Sequence, residues 1–194
     1  MLSKERDGRI TASMVGACLG VNPYCSRQEA WRLLTKRKKF EGNEMTQWGN
    51  DHEKDALMAY ESLTGELVDF ALDDQKFIID HSFDWLGGTP DGRIDNILAE
   101  FKCPYSLKIP DEVPLHYIAQ CQINMRLTET DRCHLTYWTP EKTKVFSFSW
   151  SLEYEEKALD ILQEFRQYLL DDKEPKRKKK PNLPTIQTEV ILND

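Results

Sequence analysis

Two acidic residues and a lysine, spaced as in a β-hairpin, are the part of this sequence best suited to chemistry. Asp91 and Glu100 stand nine positions apart, and Lys102 follows Glu100 by two. Asp95-Asn96 lies midway, and both residue types tolerate the left-handed backbone conformations of tight turns. With the turn there, antiparallel pairing places Asp91 opposite Glu100 and puts Lys102 on the same face of the strand.

Facing carboxylates repel each other, so this pair calls for a compensating positive charge. A divalent cation supplies it, and hard oxygen ligands favour Mg²⁺ or Mn²⁺. The pattern therefore predicts a metal site for phosphodiester hydrolysis, with Lys102 beside the attacking water. A charged face on an exposed hairpin shows the same residue types. An apolar run around Glu100 and glycines at positions 87, 88 and 92 favour the metal site, because they indicate a core strand and an uncovered backbone.

Beyond this hairpin, the chain resembles the lambda-exonuclease, or YqaJ-type viral recombinase, branch of the PD-(D/E)XK nuclease superfamily. Four blocks carry the likeness, in the family's order, and they span about Arg9 to Trp150. They are Gly8–Ser13 with Gly20–Tyr24; Trp48–Asn50 with His52, Glu53 and Ala56–Tyr60; the Asp91/Glu100/Lys102 hairpin ending at Pro104; and Tyr117–Gln122.

The resemblance implies a role for each residue of the metal site. Asp91 and Glu100 would bind one or two Mg²⁺ ions, with Mn²⁺ as a substitute, and the backbone carbonyl of Phe101 would be a further ligand. Glu53, on a predicted helix, would help to hold the metal-bound waters. Lys102 would orient the attacking water and stabilise developing negative charge.

Further site residues follow from the first and last blocks. By the resemblance, Gln120 lies next to the catalytic lysine, Arg9 grips a phosphate of the DNA end, and Ser13 adds a hydroxyl or backbone donor near a helix N-terminus. Gln122 is about 200° around the helix from Gln120, so the two glutamines cannot face the site equally.

The activity implied by the resemblance is digestion of double-stranded DNA ends from the 5′ strand, leaving a 3′ overhang for recombination. A ring-shaped homotrimer enclosing DNA and a single-strand annealing protein as partner are implied in the same way. Two alternatives remain open: an endonuclease of the same superfamily, and a non-catalytic DNA-binding or assembly module that has kept the fold.

Composition is that of an ordinary globular chain. The 194 residues are 40% hydrophobic and 30% charged, which is typical of a single globular domain. The resemblance implies one nuclease domain at 1–170, and the polar, proline-bearing stretch after it predicts a basic tail at 171–194. Five scattered cysteines indicate reduced thiols and a cytoplasmic protein. The sequence has no apolar run long enough to span a membrane, so a membrane partner is not expected. The net charge is −7, but basic runs at 36–39 and 176–180 are candidate phosphate contacts or solvated segments.

Periodicity and cap signals predict helices flanking a central mixed β-sheet, an α/β or α+β fold. The resemblance implies that this fold is a PD-(D/E)XK restriction-endonuclease-like nuclease core. The predicted helices begin near Ala12, after Ser26, around Met45, at Pro114 and after Ser151. The predicted strands are 67–72, 76–80, a segment near 85–88, the two arms of the hairpin, 133–138 and 144–150.

Overall fold

The structure is a computed structural model and describes residues 4–39, 41–69 and 76–194. Within these residues the chain forms five α-helices: α1 (Ala12–Leu19), α2 (Arg27–Leu34), α3 (Glu44–Thr64), α4 (Leu115–Thr128) and α5 (Leu152–Leu170). The strands are β1 (Ile10–Thr11), β2 (Ile78–Ile79), β3 (Leu86–Gly88), β4 (Gly92–Ile94), β5 (Ile97–Lys102), β6 (Arg132–Thr139), β7 (Lys142–Ser149) and β8 (Glu189–Asn193). A short 3₁₀ turn at Lys4–Arg6 precedes β1.

The strands form two sheets. The larger has the order β4-β5-β6-β7-β8, and only its β5–β6 pair is parallel. Helix α4 connects these two parallel strands, as a crossover requires. The smaller sheet has the order β1-β3-β2, with β1 parallel to β3. This arrangement confirms the predicted α+β class with a mixed sheet.

The helix boundaries follow the cap signals in the sequence. The Ser26 hydroxyl accepts a hydrogen bond from the Glu29 N–H at the start of α2, and the Ser151 hydroxyl accepts one from Tyr154 at the start of α5. Gly20 and Gly65 end α1 and α3 with φ of 82° and 77°, in the left-handed region that glycine enters at little cost.

The main core lies where α1, α4 and α5 pack together and against the large sheet. Ile123 and Met125 of α4, Leu135 of β6 and Leu162 of α5 are fully buried there. A smaller cluster on the other side joins α3 to the hairpin, with Tyr60 packed edge-on to Phe101 at 6.1 Å between ring centroids. The β4–β5 hairpin is therefore held between helices on both faces.

The structure differs from the predicted elements in several details. Of the predicted strand 76–80, only β2 (Ile78–Ile79) forms. Positions 70–72 of the predicted strand 67–72 lie outside the described residues. Asp69, just before them, forms an isolated β-bridge with Arg93. Pro114 is the N-cap of α4 rather than a residue of its first turn. In α2, Trp31 is buried and its Nε1 donates to the Tyr168 carbonyl of α5, whereas Leu33 and Leu34 are only half-buried.

The segment predicted as a tail contains β8, which pairs with β7 and adds an edge to the large sheet. Val190 and Leu192 make this stretch strand-like, and β7 without it would expose a row of unpaired backbone groups. The boundary predicted at residue 170 stays a prediction.

In the part of the chain that the structure describes, none of the helices is long and apolar enough to cross a membrane.

Candidate active site

The predicted hairpin forms with the predicted register. Ile94 pairs with Ile97 and Gly92 with Ala99, and Asp95 takes the turn position with φ of 46°. The ladder stops at Gly92, so Asp91 lies just outside the strand. Its carboxylate oxygen Oδ2 instead accepts a hydrogen bond of 2.9 Å from the backbone N–H of Phe101. This bond fixes Asp91 next to Glu100 without regular pairing.

Glu100 is the centre of the site and is 0% exposed. Lys102 Nζ donates to its Oε1 over 2.6 Å, and the Gln120 amide donates to the same oxygen. The Asn124 amide donates to its Oε2 over 3.0 Å. A buried carboxylate is costly unless it is paired and hydrogen-bonded, and these three donors meet that requirement.

The charges of the site shift one another's pKa. Burial and the nearby charge of Glu100 raise the pKa of Asp91 well above its usual range, and the charge of Glu53 adds to this shift. Burial alone would lower the pKa of Lys102, but the charges of Glu100 and Asp91 outweigh it and raise that pKa. Lys102 is therefore held as an ammonium ion, which suits charge stabilisation and not proton abstraction.

Glu53 approaches the site from α3. Its charge raises the pKa not only of Asp91 but also of the Cys103 thiol, which burial and Glu53 together bring to about 12. The Cys103 thiol donates to the His52 carbonyl over 3.3 Å, which ties α3 to the end of β5. Glu53 thus lies close enough for its charge to act on Asp91 and on the end of β5.

The two glutamines of α4 face opposite sides. The Gln120 amide points to Glu100. Gln122 is fully buried at the junction of β7 and α5. Its side chain donates a hydrogen bond to the Ser149 carbonyl and accepts one from the Ser151 N–H, each over 2.9 Å. The geometry therefore places Gln120 at the site.

The first block lies on the neighbouring small sheet. β1 runs parallel to β3, with Thr11 opposite Gly87, so the start of α1 sits beside the chain that leads to Asp91. Arg9 Nε donates to the Asp84 carbonyl and its Nη1 to the Glu5 carbonyl, both over 2.6 Å. Ser13 is exposed, with its hydroxyl 3.2 Å from that of Thr11. The hydrogen bonds of Arg9 and Ser13 thus join them to Glu5, Asp84 and Thr11.

Gly88 explains how α1 comes so near to the carboxylates. A Cβ at this position would lie 2.6 Å from Asn124 Oδ1 and 3.0 Å from the Ala12 side chain. Only a residue without a side chain leaves room for α1 and α4 to pack against this point of β3 together.

Three residues near the site were not identified from the sequence. Asn124 lies one helical turn after Gln120, and this spacing of four was the available signal. The Tyr117 ring, three residues before Gln120, lies 5.2 Å from Lys102 Nζ. Arg6 donates to the Thr89 hydroxyl over 2.7 Å, a contact across 83 residues that no local pattern indicates.

The oxygen donors fit a hard divalent cation. Asp91 and Glu100 bring two carboxylates together. Burial and the charge of Glu100 both raise the pKa of Asp91, and a cation would relieve the repulsion between the two acids. Among the described residues no three His, Cys, Asp or Glu side chains are grouped closely enough to hold a metal by themselves. An ion held here would complete its shell with backbone or water oxygens. Mg²⁺ commonly binds in this way, through one or two carboxylates and several waters.

Three residues of the first basic run and one of the second form ion pairs with acidic side chains. Lys36 pairs with Asp7 and Arg37 with Asp172, both at 2.7 Å, while Lys38 pairs with Glu29. Lys178, in the second run, pairs with Glu164 at 2.7 Å. These exposed pairs are weak, so phosphates could compete for the cations.

Comparison with known proteins gives a family and a fold. The model of the YqaJ-like viral recombinase domain matches residues 3–131. No curated protein matches the chain.

Among solved structures, LHK-Exo in complex with dAMP has a TM-score of 0.72 at 22% identity. The alignment covers 86% of this chain and 90% of LHK-Exo. A second structure of that protein, an alkaline exonuclease from Laribacter hongkongensis, has a TM-score of 0.70 at 23% identity, with the same coverage. A phage-related exonuclease from Haemophilus somnus 129PT has a TM-score of 0.65 at 15% identity, covering 84% and 96%.

Proposed function

The chain belongs to the YqaJ-like viral recombinase family, and from this membership and the Asp91–Glu100–Lys102 site we propose that it is a Mg²⁺-dependent exonuclease that resects linear double-stranded DNA. The observation that carries the proposal is the buried Glu100 carboxylate, which three donors hold beside Asp91. Burying an acid beside a second acid costs folding free energy, so its presence indicates a functional role for the pair. Two of the structural neighbours, LHK-Exo and the phage-related protein from Haemophilus somnus 129PT, are exonucleases, which supports this activity.

Each group in the site has a part in the proposed hydrolysis. Asp91 and Glu100 would hold one or two Mg²⁺ ions, or Mn²⁺ in their place, together with the Phe101 carbonyl and waters near Glu53. A bound ion would polarise the scissile phosphate and lower the pKa of its water. The Lys102 ammonium would stabilise the negative charge that develops on the phosphate. Gln120 and Asn124 keep the Glu100 carboxylate in one orientation.

Polarity, assembly and partners are further parts of the proposal. Digestion of the 5′ strand, with Arg9 and Ser13 gripping the terminal phosphate, would leave a 3′ overhang for a single-strand annealing protein. A homotrimer ring around the DNA would keep the enzyme on its substrate. All five cysteines are free thiols, which suits a reducing compartment such as the cytoplasm.

A substrate comparison tests the activity. The protein is incubated with Mg²⁺ and linear duplexes carrying 5′-phosphate or 5′-hydroxyl ends, alongside a closed circle. An exonuclease degrades the linear DNA and leaves the circle intact. Cleavage of the circle would instead indicate an endonuclease, and no cleavage of any substrate would indicate a non-catalytic DNA-binding module.

Paired variants of the hairpin test the site itself. Asp91→Asn and Glu100→Gln should abolish cleavage and leave the fold intact, because they remove charge while keeping shape. Without metal, the thermal stability of Asp91→Asn should be unchanged or higher, since the repulsion between the carboxylates is relieved. Glu100→Gln should lose some thermal stability, because it removes the anionic partner of the Lys102 ammonium. Asp95→Asn is the matched control: it makes the same exchange at the exposed turn of the same hairpin. Near-normal activity of either site variant at saturating Mg²⁺ would show that the site is assigned wrongly.

A further inference from the structure

Tyr24 is an exposed aromatic residue on a tightly anchored loop. The residue is 83% exposed, the largest value among the large hydrophobic residues described. The loop after α1 is nevertheless pinned: the N–H groups of Val21 and Asn22 both donate to the Gly16 carbonyl, over 2.9 and 3.0 Å. The Tyr24 N–H donates to the Asn22 side chain over 2.8 Å. The backbone is thus fixed while the ring faces solvent.

A row of ring contacts connects Tyr24 with the active-site lysine. Tyr24 packs edge-on to His116, with 5.9 Å between centroids and an interplanar angle of 86°. His116 lies 4.1 Å from Tyr117, and Lys102 Nζ lies 5.2 Å from the centroid of Tyr117. Tyr24 is therefore the solvent-facing end of an aromatic row that begins at the site of the proposed chemistry.

The close contact of α1 with α4 holds this row in place. A Cβ at Gly16 would lie 2.6 Å from the His116 Cβ, so only glycine allows the helices to approach so closely. The same Gly16 carbonyl receives the loop that carries Tyr24. Both His116 and Tyr24 are consequently positioned by Gly16.

An isolated exposed aromatic residue needs no explanation, since folded proteins have many. Tyr24 is different because its ring is pre-positioned, so a planar ligand that stacks on it loses little additional entropy. Nucleobases stack on aromatic side chains irrespective of sequence, as an enzyme acting on any DNA end requires.

We propose that Tyr24 is a stacking platform for one nucleobase of the DNA strand that is cut, a short distance from the scissile phosphate. The platform rests on the proposed nuclease function, because that function brings the strand to Lys102. It would hold the strand in register with the metal site and would contribute to binding without taking part in hydrolysis.

Binding measurements with abasic DNA test the platform. Fluorescence anisotropy gives the affinity for a series of linear duplexes, each with a single abasic nucleotide at a different one of the first positions from the 5′ end. Ca²⁺ replaces Mg²⁺ to prevent turnover. The proteins compared are the wild type, Tyr24→Ala, Tyr24→Phe and the control Leu170→Ala, which truncates another exposed apolar residue at the end of α5.

In the wild type, one abasic position should weaken binding roughly five- to hundredfold, the equivalent of one base stacked on an aromatic ring. Tyr24→Ala should weaken binding of intact DNA by the same factor and be insensitive to the abasic nucleotide at that position. Tyr24→Phe and Leu170→Ala should bind within about twofold of the wild type, because phenylalanine keeps the ring face and Leu170 is not in the aromatic row.

If the wild type degrades linear DNA with Mg²⁺, two results would refute the platform without affecting the proposed nuclease function. One is an unchanged DNA affinity of Tyr24→Ala. The other is that the loss of affinity in Tyr24→Ala adds to the loss caused by the abasic nucleotide at every position tested. A wild-type protein that neither binds nor degrades DNA would overturn both proposals together.

Discussion

Truncation of the two glutamines of α4 should have opposite consequences. Gln122 is fully buried and satisfies two backbone groups, the Ser149 carbonyl and the Ser151 N–H. Gln122→Ala leaves both without a partner in the interior, and an unsatisfied buried group costs about 1–3 kcal/mol. We expect a loss of about 2–4 kcal/mol in the free energy of unfolding. For a chain of this length that lowers Tm by roughly 5–15 °C.

Gln120 is half-buried, and its amide donates to the Glu100 carboxylate. Water can replace that donor, so Gln120→Ala should change the free energy of unfolding by less than about 1 kcal/mol. The carboxylate would lose part of its fixed orientation, and a small displacement of a catalytic group can cost on the order of 10² in rate. Turnover should fall by about that factor.

The assay combines thermal or urea unfolding with the rate of nucleotide release, measured at a temperature where both variants are folded. Per folded molecule, Gln122→Ala should cleave DNA at close to the wild-type rate. The reasoning is refuted if Gln122→Ala loses turnover without losing stability, or if Gln120→Ala is the less stable protein with normal turnover.

Three further predictions concern single side chains. Lys102→Ala should keep DNA binding but lose about 10²–10³ in turnover, measured in single-turnover experiments, because a charge-stabilising group is removed; unchanged turnover per folded molecule would make Lys102 structural. Arg9→Ala should reduce the preference for 5′-phosphate over 5′-hydroxyl ends about ten- to hundredfold in competition digests, the value of one hydrogen bond to a charged group. A lower Tm with unchanged preference would mean that Arg9 only braces the Asp84 and Glu5 carbonyls. Burial raises the pKa of Asp80, but the hydrogen bonds and charge of Arg126 and the neighbouring N–H groups outweigh it and lower that pKa below 3.8. The resulting stability is present above pH 3.8 and disappears as the pH falls through the folded-state pKa. The difference in Tm between the wild type and Asp80→Asn at pH 7 should therefore shrink below about pH 4. A difference that stays constant with pH would exclude this linkage.

Local sequence signals determined the elements that carry the site. The Asp95-Asn96 turn fixed the register of the β4–β5 hairpin, and a register in a two-stranded hairpin follows from its turn. Ser26, Ser151 and the two glycines that end α1 and α3 marked helix ends, because caps act within a few residues. The family likeness came from residues within such elements.

Contacts between distant segments could not be predicted in this way. The sequence placed Asp91 in regular pairing with Glu100, whereas in the fold Asp91 leaves the ladder and accepts from the Phe101 N–H. Gly88 admits Ala12 and Asn124 from two helices at once, and their approach depends on how the whole core packs. β8 pairs with β7 more than forty residues away, although it lies in the segment predicted to be a polar tail.

The sequence by itself therefore determined which side chains could do the chemistry and which local element carries each of them. Only the tertiary structure decided how they are oriented: that Gln120 and not Gln122 reaches Glu100, that Asn124 completes the shell of that carboxylate, and that Tyr117 lies over Lys102. The physical reason is that periodicity gives the spacing of residues around a helix, while the face that turns toward the sheet is chosen by packing against the rest of the core.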